Sequence, residues 1–339
     1  MIKEAISMLI DGKDLSEEEM VGAMRDIMEG KATDAQIASF LTALRIKGET
    51  VEEITGAARV MREKVSKIKA PEYTVDTCGT GGDMSHTFNI STTSALVVAA
   101  CGLPVAKHGN RSVSSCCGSA DVLEALGIKI ELEPAKVEEC LKTTGFGFMF
   151  APLFHPAMKY AIGPRKELGV RTIFNILGPL TNPAGAKQQV MGVFSDKLTE
   201  PLAQVLGNLG VKHAFVVHGE DGLDEITTTD KTRMSELKED KVKTYSISPE
   251  EFGFEKANKK DLIGGTAEEN AKITINILEG GKGPKRDIVL LNAAAALIAG
   301  NKSEDFNDGI KKASEAIDSG AAREKLEEVK KTSIELYRS

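Results

Sequence analysis

The stretch TVDTCGTGGDMSHTFNIST, residues 74–92, decides which fold this chain can adopt. It begins as a β-branched run, passes Gly79, Gly81 and Gly82, and leads into STTSALVVAACG (91–102), which is typical of a helix. A strand that turns through glycines into a helix is typical of β-α units, and a series of such units predicts a mainly parallel sheet. Ligands of such sheets bind at the carboxyl ends of the strands, which is where these glycines lie.

The glycine loop is suited to binding an anion. Glycines expose backbone N–H groups, and N–H groups backed by a helix N-terminus attract phosphate oxygens. The loop has neither the G-K-[ST] of a Walker A motif nor an adjoining G-x-G-x-x-G. The side chains of Asn89, Ser91 and Thr92 would add donors at the helix start. Considered alone, the loop could equally be a flexible turn, so other loops are needed to distinguish the two interpretations.

The composition excludes several classes of protein. The 339 residues have room for two domains at roughly 100–200 residues each. A net charge of −7 provides no global basic field for nucleic acid or an anionic membrane. No apolar run reaches the roughly 18 residues of a membrane span, and the N-terminus lacks a signal-peptide core. These features, with five cysteines that lack zinc-ligand spacing, predict a cytoplasmic protein with reduced cysteines.

The N-terminal part of the sequence has a purely helical pattern. Three capping boxes, each a Ser or Thr followed three residues later by Glu or Gln, open apolar-periodic segments at Ser16, Thr33 and Thr50. No residue here suggests chemistry, and spare apolar surface would suit this unit to oligomerisation. We therefore expect a helical domain at residues 1–70.

From Pro71 onward, short apolar or β-branched runs alternate with helical segments. The expected fold class is α/β, a small all-helical N-terminal domain plus a large α/β domain (71–151 and 191–339) with a mainly parallel central sheet. The segment 152–190 is rich in proline and glycine, and we expect its helical pieces to rejoin the small domain. Two connections between the domains would form a hinge.

A second donor-rich loop, KHGNRSVSS (107–115), follows the predicted strand LPVA and precedes another predicted helix. Its lysine, arginine, histidine, asparagine and three serines suit a polyanion better than a single carboxylate. A third loop, GLDEIT (222–227), follows the predicted strand AFVVHG. Its adjacent Asp224 and Glu225 could hold Mg²⁺ shared with substrate phosphates, on a loop that we expect to be exposed. Three such loops at strand ends of one sheet favour a phosphate site over solvated turns.

Six motifs in chain order carry a family resemblance: DTCGTGGD, FNIST, KHGNRSVSS, GSADVLEALG, GPRKELGVRTIFNILGPLTNP and GLDEI. They span nearly the whole chain, which resembles the anthranilate phosphoribosyltransferases of tryptophan biosynthesis. The resemblance implies a cleft between a helical and an α/β domain, and a homodimer joined through the helical domains. It also implies transfer of a 5-phosphoribosyl group from phosphoribosyl pyrophosphate to the amine of anthranilate, with Mg²⁺ as cofactor.

The resemblance also implies site residues, matched by position. The residues implied to contact phosphoribosyl pyrophosphate are Gly79, Gly82, Asp83, Thr87, Asn89, Ile90, Ser91, Thr92, Lys107, His108, Gly109, Asn110, Arg111, Ser112, Val113, Ser114, Ser115 and Ser119. Those implied to ligate the metal are Ser91, Asp224 and Glu225. Those implied to meet anthranilate are Gly79, Asn110 and Arg165, with Arg165 pairing with its carboxylate. Cys116 and Cys117 depart from the pattern, because a more polar pair is expected at the end of this loop.

Two alternative functions share these loops. Pyrimidine nucleoside phosphorylases have a similar K-H-G-N-R and G-S-A-D-V-L-E, but this chain reads G-T-G-G-D instead of S-T-G-G-V-G-D and lacks their extra C-terminal domain. A nucleic-acid-binding paralogue of the same fold would need a basic surface, which the net charge of −7 disfavours.

The expected chemistry requires no acid, base or nucleophile from the protein. The amine of anthranilate is neutral at working pH, so it can attack without prior deprotonation. The difficult step is the departure of pyrophosphate, and positioning of the substrates with electrostatic stabilisation of the leaving group is expected to promote it. The histidines form no triad pattern, although His108 could line the path of the acceptor.

Overall fold

The computed structural model describes residues 1–83, 85–112 and 117–339. Four short 3₁₀ segments occur in this part of the chain, at Pro156–Met158, Asp196–Leu198, Pro249–Phe252 and Lys259–Leu262. Its α-helices are α1 (Ile2–Ile10), α2 (Glu17–Met28), α3 (Asp34–Lys47), α4 (Val51–Lys64), α5 (Ile90–Ala100), α6 (Ser119–Ala125), α7 (Pro134–Thr144), α8 (Ala151–Phe154), α9 (Lys159–Leu168), α10 (Phe174–Leu180), α11 (Thr199–Asn208), α12 (Ala267–Leu278), α13 (Pro284–Ala299), α14 (Phe306–Asp318) and α15 (Ala321–Arg338). None of these helices combines the length and apolarity needed to cross a bilayer.

The described strands form one sheet in the order β3-β2-β1-β4-β5-β6-β7. Pairing is parallel from β3 to β5 and antiparallel from β5 to β7. The strands are β1 (Val75–Gly79), β2 (Val105–Gly109), β3 (Phe146–Phe150), β4 (Gln188–Gly192), β5 (His213–Gly219), β6 (Thr232–Lys238) and β7 (Lys241–Ile247). The predicted fold class, a helical N-terminal part followed by an α/β part with a mainly parallel sheet, is confirmed.

The three predicted capping boxes are present and explain where α2, α3 and α4 begin. At each one the hydroxyl of Ser16, Thr33 or Thr50 accepts from the N–H three residues later, and the Glu or Gln there accepts from the cap's own N–H. The carboxylate of Glu53 does more than cap, because it also accepts from Leu15 N (2.9 Å) and Lys47 Nζ (2.9 Å). This buried carboxylate therefore ties α4 to the segment before α2.

The apolar faces of the N-terminal helices pack into one core with part of the sheet. This core combines buried side chains of α2 to α4 with Ala161 of α9, Leu177 of α10, Leu206 of α11 and Val216 of β5. The opposite face of the sheet packs against α5, α13 and α15 in a second core. Helix α13 in this core is buried along nearly its whole length.

The antiparallel pair β6–β7 was not predicted. Its turn consists of Glu239 and Asp240, both with positive φ (51° and 60°), which is the two-residue hairpin geometry usually given to Asn-Gly. Because neither residue is a glycine, the turn has no obvious sequence signature. The alternating pattern of TRMSELK (232–238) was the available signal.

The parallel arrangement aligns the carboxyl ends of the central strands. Gly79 of β1 pairs with Gly192 of β4, and β2 ends at Gly109 beside β1. The loops that follow β1, β2 and β5 therefore open on the same edge of the sheet, where the sequence places the candidate site.

Candidate active site

The glycine loop is shaped around the side chain of Asp224. A Cβ at Gly79 would overlap Asp224 Oδ2, and the N–H of Gly81 donates to the same oxygen at 2.8 Å. Gly81 and Gly82 have φ values of 65° and 77°, which are left-handed conformations that glycine adopts readily. The loop thus depends on glycine both for a close approach and for its backbone path.

Gly192, at the end of β4, has the same role and was missed by the sequence reasoning. A Cβ there would overlap the carbonyl of Asp224, so only glycine lets the 222–227 loop lie against this strand. The signal was a glycine inside the apolar strand run VMGVF, since such a glycine often marks a close backbone approach.

The acidic pair is half-buried, and the expectation that it lies on an exposed loop was wrong. Glu225 Oε1 accepts from the N–H of Ser91 at the start of α5 (3.1 Å), while Asp224 accepts from Gly81. Desolvation, followed by the negative charge of Asp83, raises the pKa of Asp224 to about 7. Desolvation, followed by the charge of Asp224, raises the pKa of Glu225 to about 8. These carboxylates crowd one another and lack sufficient positive charge.

Lys107 lies beneath this pair, inside β2 and not in the loop where the sequence placed it. Only 2% of the residue is exposed, and its Nζ donates to the carbonyl of Thr77 and to Ser91 Oγ (3.2 Å). Burial lowers its pKa, against the opposing effect of Asp76 on the neighbouring strand. Lys107 therefore supplies a buried positive charge that links β1, β2 and the start of α5.

These residues fit a magnesium ion. Carboxylate and hydroxyl oxygens of Asp224, Glu225 and Ser91 are the hard donors that Mg²⁺ prefers. A divalent cation would also offset the burial and the mutual repulsion that together raise both carboxyl pKa values. Among the described residues no three His, Cys, Asp or Glu side chains form a metal cage by themselves. That is the expected arrangement for Mg²⁺, which retains waters and takes substrate phosphates as further ligands.

The start of α5 is held by Asn89, which links the segment before α6 to helix α12. Its Nδ2 donates to Cys117 O (3.2 Å), and its Oδ1 accepts from Asn270 Nδ2 (3.0 Å). The side chain thus anchors the loop instead of capping α5. Ile90 is in the core, so only its backbone can face a ligand, and Thr92 is buried as well. Thr87 forms a short antiparallel bridge with Ile263.

Asp121, which the sequence reasoning missed, organises the second loop. Its carboxylate accepts from Arg111 Nη1 (3.1 Å) and from the backbone N–H groups of Ser112 (3.1 Å) and Gly118 (2.8 Å). The hydroxyl of Ser119 donates to the carbonyl of Asn110 (3.3 Å), and a Cβ at Gly109 would overlap that hydroxyl. The predicted contacts at Val113, Ser114 and Ser115, and Cys116, lie outside the described residues.

The second side of the site comes from the segment after β3. Arg165 of α9 is half-buried, its guanidinium lies 5.0 Å from the ring centroid of Phe174, and burial lowers its pKa. Gly79 and Asn110, the other residues predicted to meet anthranilate, lie at the edge of the sheet, and within the described residues Arg165 forms no hydrogen bond with either. Arg165 therefore belongs to the helical side of the site.

The side chain of His108 contacts this helical side. Its Nε2 lies 3.1 Å from His155 Nε2, and both residues are buried. Burial, with the neighbouring His155, lowers the pKa of His108 to about 3, and burial lowers that of His155 to about 4. Both rings are therefore neutral at physiological pH, and one donates its N–H to the other. His155 was not singled out in the sequence, since a lone histidine after LF carries no pattern.

Arg171, in the connection between α9 and α10, joins the two sides and was also missed. Its Nη2 donates to the carbonyl of Gly82 (3.0 Å), and its guanidinium lies 4.4 Å from the ring centroid of Phe194, just after β4. Within the described residues, the candidate site thus lies between the carboxyl edge of the sheet and the 155–175 segment.

Known proteins share both the sequence and the fold of this chain. Residues 3–65 match the model of a glycosyl transferase family helical bundle domain, and residues 72–323 match that of a glycosyl transferase family a/b domain. The chain is 61% identical over 329 residues to an anthranilate phosphoribosyltransferase of Acetivibrio thermocellus, covering 97% of this chain and 95% of that protein.

Two solved enzymes also share the fold. Anthranilate phosphoribosyltransferase from Thermus thermophilus superposes with a TM-score of 0.93 and 43% identity, covering 97% of this chain and 99% of that one. The Saccharomyces cerevisiae enzyme in complex with PRPP and Mg gives a TM-score of 0.89 and 28% identity, with 98% of each chain covered. The same values hold for its complex with 4-fluoroanthranilate.

Proposed function

This chain belongs to the family of anthranilate phosphoribosyltransferases, and from that premise we propose its reaction and the residues that perform it. The enzyme transfers the 5-phosphoribosyl group of phosphoribosyl pyrophosphate to the amine of anthranilate, giving N-(5-phosphoribosyl)anthranilate and pyrophosphate in tryptophan biosynthesis. The main structural support for the proposal is the position of the glycine loop. It packs around Asp224, beside the buried Lys107 and the start of α5. The relatives favour this reaction over that of a nucleoside phosphorylase.

The sheet edge is the proposed site of phosphoribosyl pyrophosphate. The loop 79–83 offers backbone N–H groups, the start of α5 offers a helix N-terminus, and the end of β2 with the following residues 110–112 offers further donors. Many N–H donors spread over three loops suit a ligand with several phosphate oxygens. The other residues that the resemblance assigns to this ligand are proposed to contribute to its binding, although the side chain of His108 contacts His155, and Val113, Ser114 and Ser115 lie outside the described residues.

Mg²⁺ is the proposed cofactor, held by Ser91, Asp224 and Glu225 together with substrate oxygens. When bound, it neutralises the pyrophosphate and so eases its departure. The chain's own part is to fix these oxygens: Gly81 orients Asp224, and the N–H of Ser91 orients Glu225. Lys107 balances the remaining negative charge from below.

Anthranilate is proposed to bind on the helical side, with Arg165 pairing with its carboxylate. A guanidinium already partly desolvated forms a stronger charge-assisted hydrogen bond than an exposed one. The attacking amine is neutral and needs no base. The neutral pair of His108 and His155 accordingly acts as an uncharged wall with one internal hydrogen bond, and we assign it no proton transfer.

The two sides must approach for reaction. We propose that residues 1–70, rejoined by helices within 152–190, form one domain, and that residues 71–151 and 191–339 form the other. Closure about the two connections would bring Arg165 toward the glycine loop. It would also expel water that could otherwise hydrolyse the activated ribosyl carbon.

A homodimer through the helical domain is the proposed assembly. Ile10 at the end of α1 and Ile46 of α3 are 72% and 82% exposed, and Ile162 of α9 is exposed as well. Large apolar side chains this exposed on one domain support an interface there. Light scattering should give twice the mass of one chain, and Ile46→Glu should reduce the measured mass to that of one chain.

A cytoplasmic location is proposed because the four described cysteines are free thiols.

The test is direct. Anthranilate is fluorescent, so its consumption in the presence of phosphoribosyl pyrophosphate and Mg²⁺ should be visible as fluorescence loss with stoichiometric pyrophosphate release. Thymidine or uridine with phosphate is the control substrate pair. Cleavage of these nucleosides without anthranilate consumption would establish a nucleoside phosphorylase and refute the proposal.

A further inference from the structure

Arg171 makes contacts that substrate binding alone does not explain. It lies in the connection between α9 and α10, the same segment that carries Arg165, yet both of its side-chain contacts are with the other side of the cleft. Its Nη2 donates to Gly82 O (3.0 Å), and its guanidinium stacks 4.4 Å from the Phe194 ring centroid. Phe194 in turn donates its N–H to Thr80 Oγ1 (3.1 Å). Arg171 and Phe194 therefore contact the glycine loop at two points.

The hydrogen bond to Gly82 fixes the orientation of one peptide. A trans peptide is planar, with its C=O and the following N–H on opposite sides. When Arg171 holds the carbonyl of Gly82, the N–H of Asp83 must point the opposite way. In a loop with two glycines of positive φ, this peptide would otherwise rotate freely.

A matching contact holds the preceding part of the loop from the other direction. The N–H of Gly81 donates to Asp224, which belongs to the sheet side of the cleft. The loop is therefore held between a carboxylate on one side and a guanidinium on the other. Only the guanidinium comes from the segment that carries the proposed anthranilate ligand, Arg165.

We propose that Arg171 is a positioning residue that couples the two sides of the cleft. It orients the Gly82–Asp83 peptide for the pyrophosphate of the donor substrate, and it makes that orientation depend on the position of the 155–175 segment. This inference rests on the proposed function for the identity of the ligands, but the contact with the loop does not. Arg171 is itself exposed, so its replacement should leave the fold intact.

The variants are Arg171→Ala and Arg171→Lys, with Lys166→Ala as the matched control. Lys166 is an exposed cation on the same segment, so its removal reproduces the loss of charge without the loss of contact. Lysine at position 171 keeps the charge and one donor but loses the planar fork and the stacking. An intermediate effect in Arg171→Lys would therefore mark partial rescue.

Two measurements test the proposal. Hydrogen exchange at residues 80–83 of the ligand-free protein should become about tenfold faster in Arg171→Ala, because the loop loses the hydrogen bond that holds the Gly82 carbonyl. The KM for phosphoribosyl pyrophosphate should rise about tenfold while the KM for anthranilate changes little, because only the donor loop is misplaced. Lys166→Ala should change neither quantity.

The outcomes separate clearly. Faster exchange together with a raised donor KM supports the proposal. Unchanged exchange overturns it, whatever the KM values, and faster exchange with an unchanged donor KM shows a structural contact only and overturns it as well. If the wild-type protein transfers no ribosyl group, the proposed function fails. The exchange experiment, with the affinity for Mg²⁺-pyrophosphate replacing KM, still decides the role of Arg171.

Discussion

The two sides of the cleft are built in different ways. The sheet side is mainly backbone: glycines at the ends of β1 and β4, helix-start N–H groups, and a few buried charges beneath them. The helical side consists of single side chains, Arg165, His155 and Arg171, that project from short helices and connections. In the proposed assignment, many weak donors bind a ligand with many phosphate oxygens, whereas one strong cation binds a small aromatic acid.

This contrast predicts different sensitivities to mutation. On the sheet side, backbone donors cannot be removed by substitution, so the buried charges are the vulnerable groups. On the helical side, one side chain carries most of the specificity. The experiments below test this division, beginning with the largest expected effect.

Asp224→Asn with Glu225→Gln should lower turnover by about 100-fold or more, because the metal loses its charged ligands. The amide oxygens can still accept from Gly81 and Ser91, so the thermal unfolding midpoint should not fall. Turnover is measured over a Mg²⁺ titration, with circular dichroism as the control for folding. Wild-type turnover at limiting Mg²⁺ would refute the metal assignment.

Arg165→Ala should raise the KM for anthranilate about 10- to 100-fold through loss of a charge-assisted contact of roughly 1.5–3 kcal/mol. The KM for phosphoribosyl pyrophosphate should change little.

Lys107→Met, which keeps the length of this buried side chain, should have the opposite effect. It should raise the KM for phosphoribosyl pyrophosphate and leave the KM for anthranilate nearly unchanged. Steady-state kinetics with each substrate varied in turn gives the KM of each variant for each substrate. Equal effects of both variants on both KM values would contradict the assignment of one substrate to each side.

The sheet side of this cleft was largely predictable from sequence, and the helical side was not. Gly79, Gly81 and Gly82 lie between a β-branched run and a helix, so their position at a strand end follows from local pattern. Asp224 was also found, but its burial was not, because burial depends on Gly192 some thirty residues away allowing the close approach. Lys107 was placed in a loop because a lysine inside a buried strand contradicts the usual pattern of such strands.

The helical side was harder because single side chains carry no local pattern. Arg165 could be named only through the family resemblance, and His155 and Arg171 were not found at all. Their roles come from contacts with His108 and Gly82, which lie 47 and 89 positions earlier in the chain. By contrast, the N-terminal helices were predicted well, because capping boxes and apolar stripes are local signals.

The histidine pair should make the helical side acid-sensitive. The pKa of His108 is lowered to about 3 and that of His155 to about 4, so the unfolded chain takes up protons first as the pH falls. Their stabilising contribution is complete above the unfolded pKa of about 6.5 and is lost progressively below it, at about 1 kcal/mol per histidine by pH 5.5.

Urea unfolding of the wild type and of His155→Phe at pH 7.5 and 5.5 measures this loss. The wild type should lose more stability between the two pH values, by about 1 kcal/mol, because the variant no longer carries one of the two depressed histidines. An identical loss in both proteins would show that His155 titrates normally and that the pair is open to water.

Amide hydrogen exchange with each ligand in turn tests the division of the cleft most directly. Phosphoribosyl pyrophosphate with Mg²⁺ should slow exchange at residues 79–83 and 107–112. Anthranilate, added with Mg²⁺-pyrophosphate so that no turnover occurs, should further slow exchange within residues 155–175. Protection of the same residues by both ligands, or unchanged exchange in both loops at saturating donor, would contradict a cleft whose two sides serve different substrates.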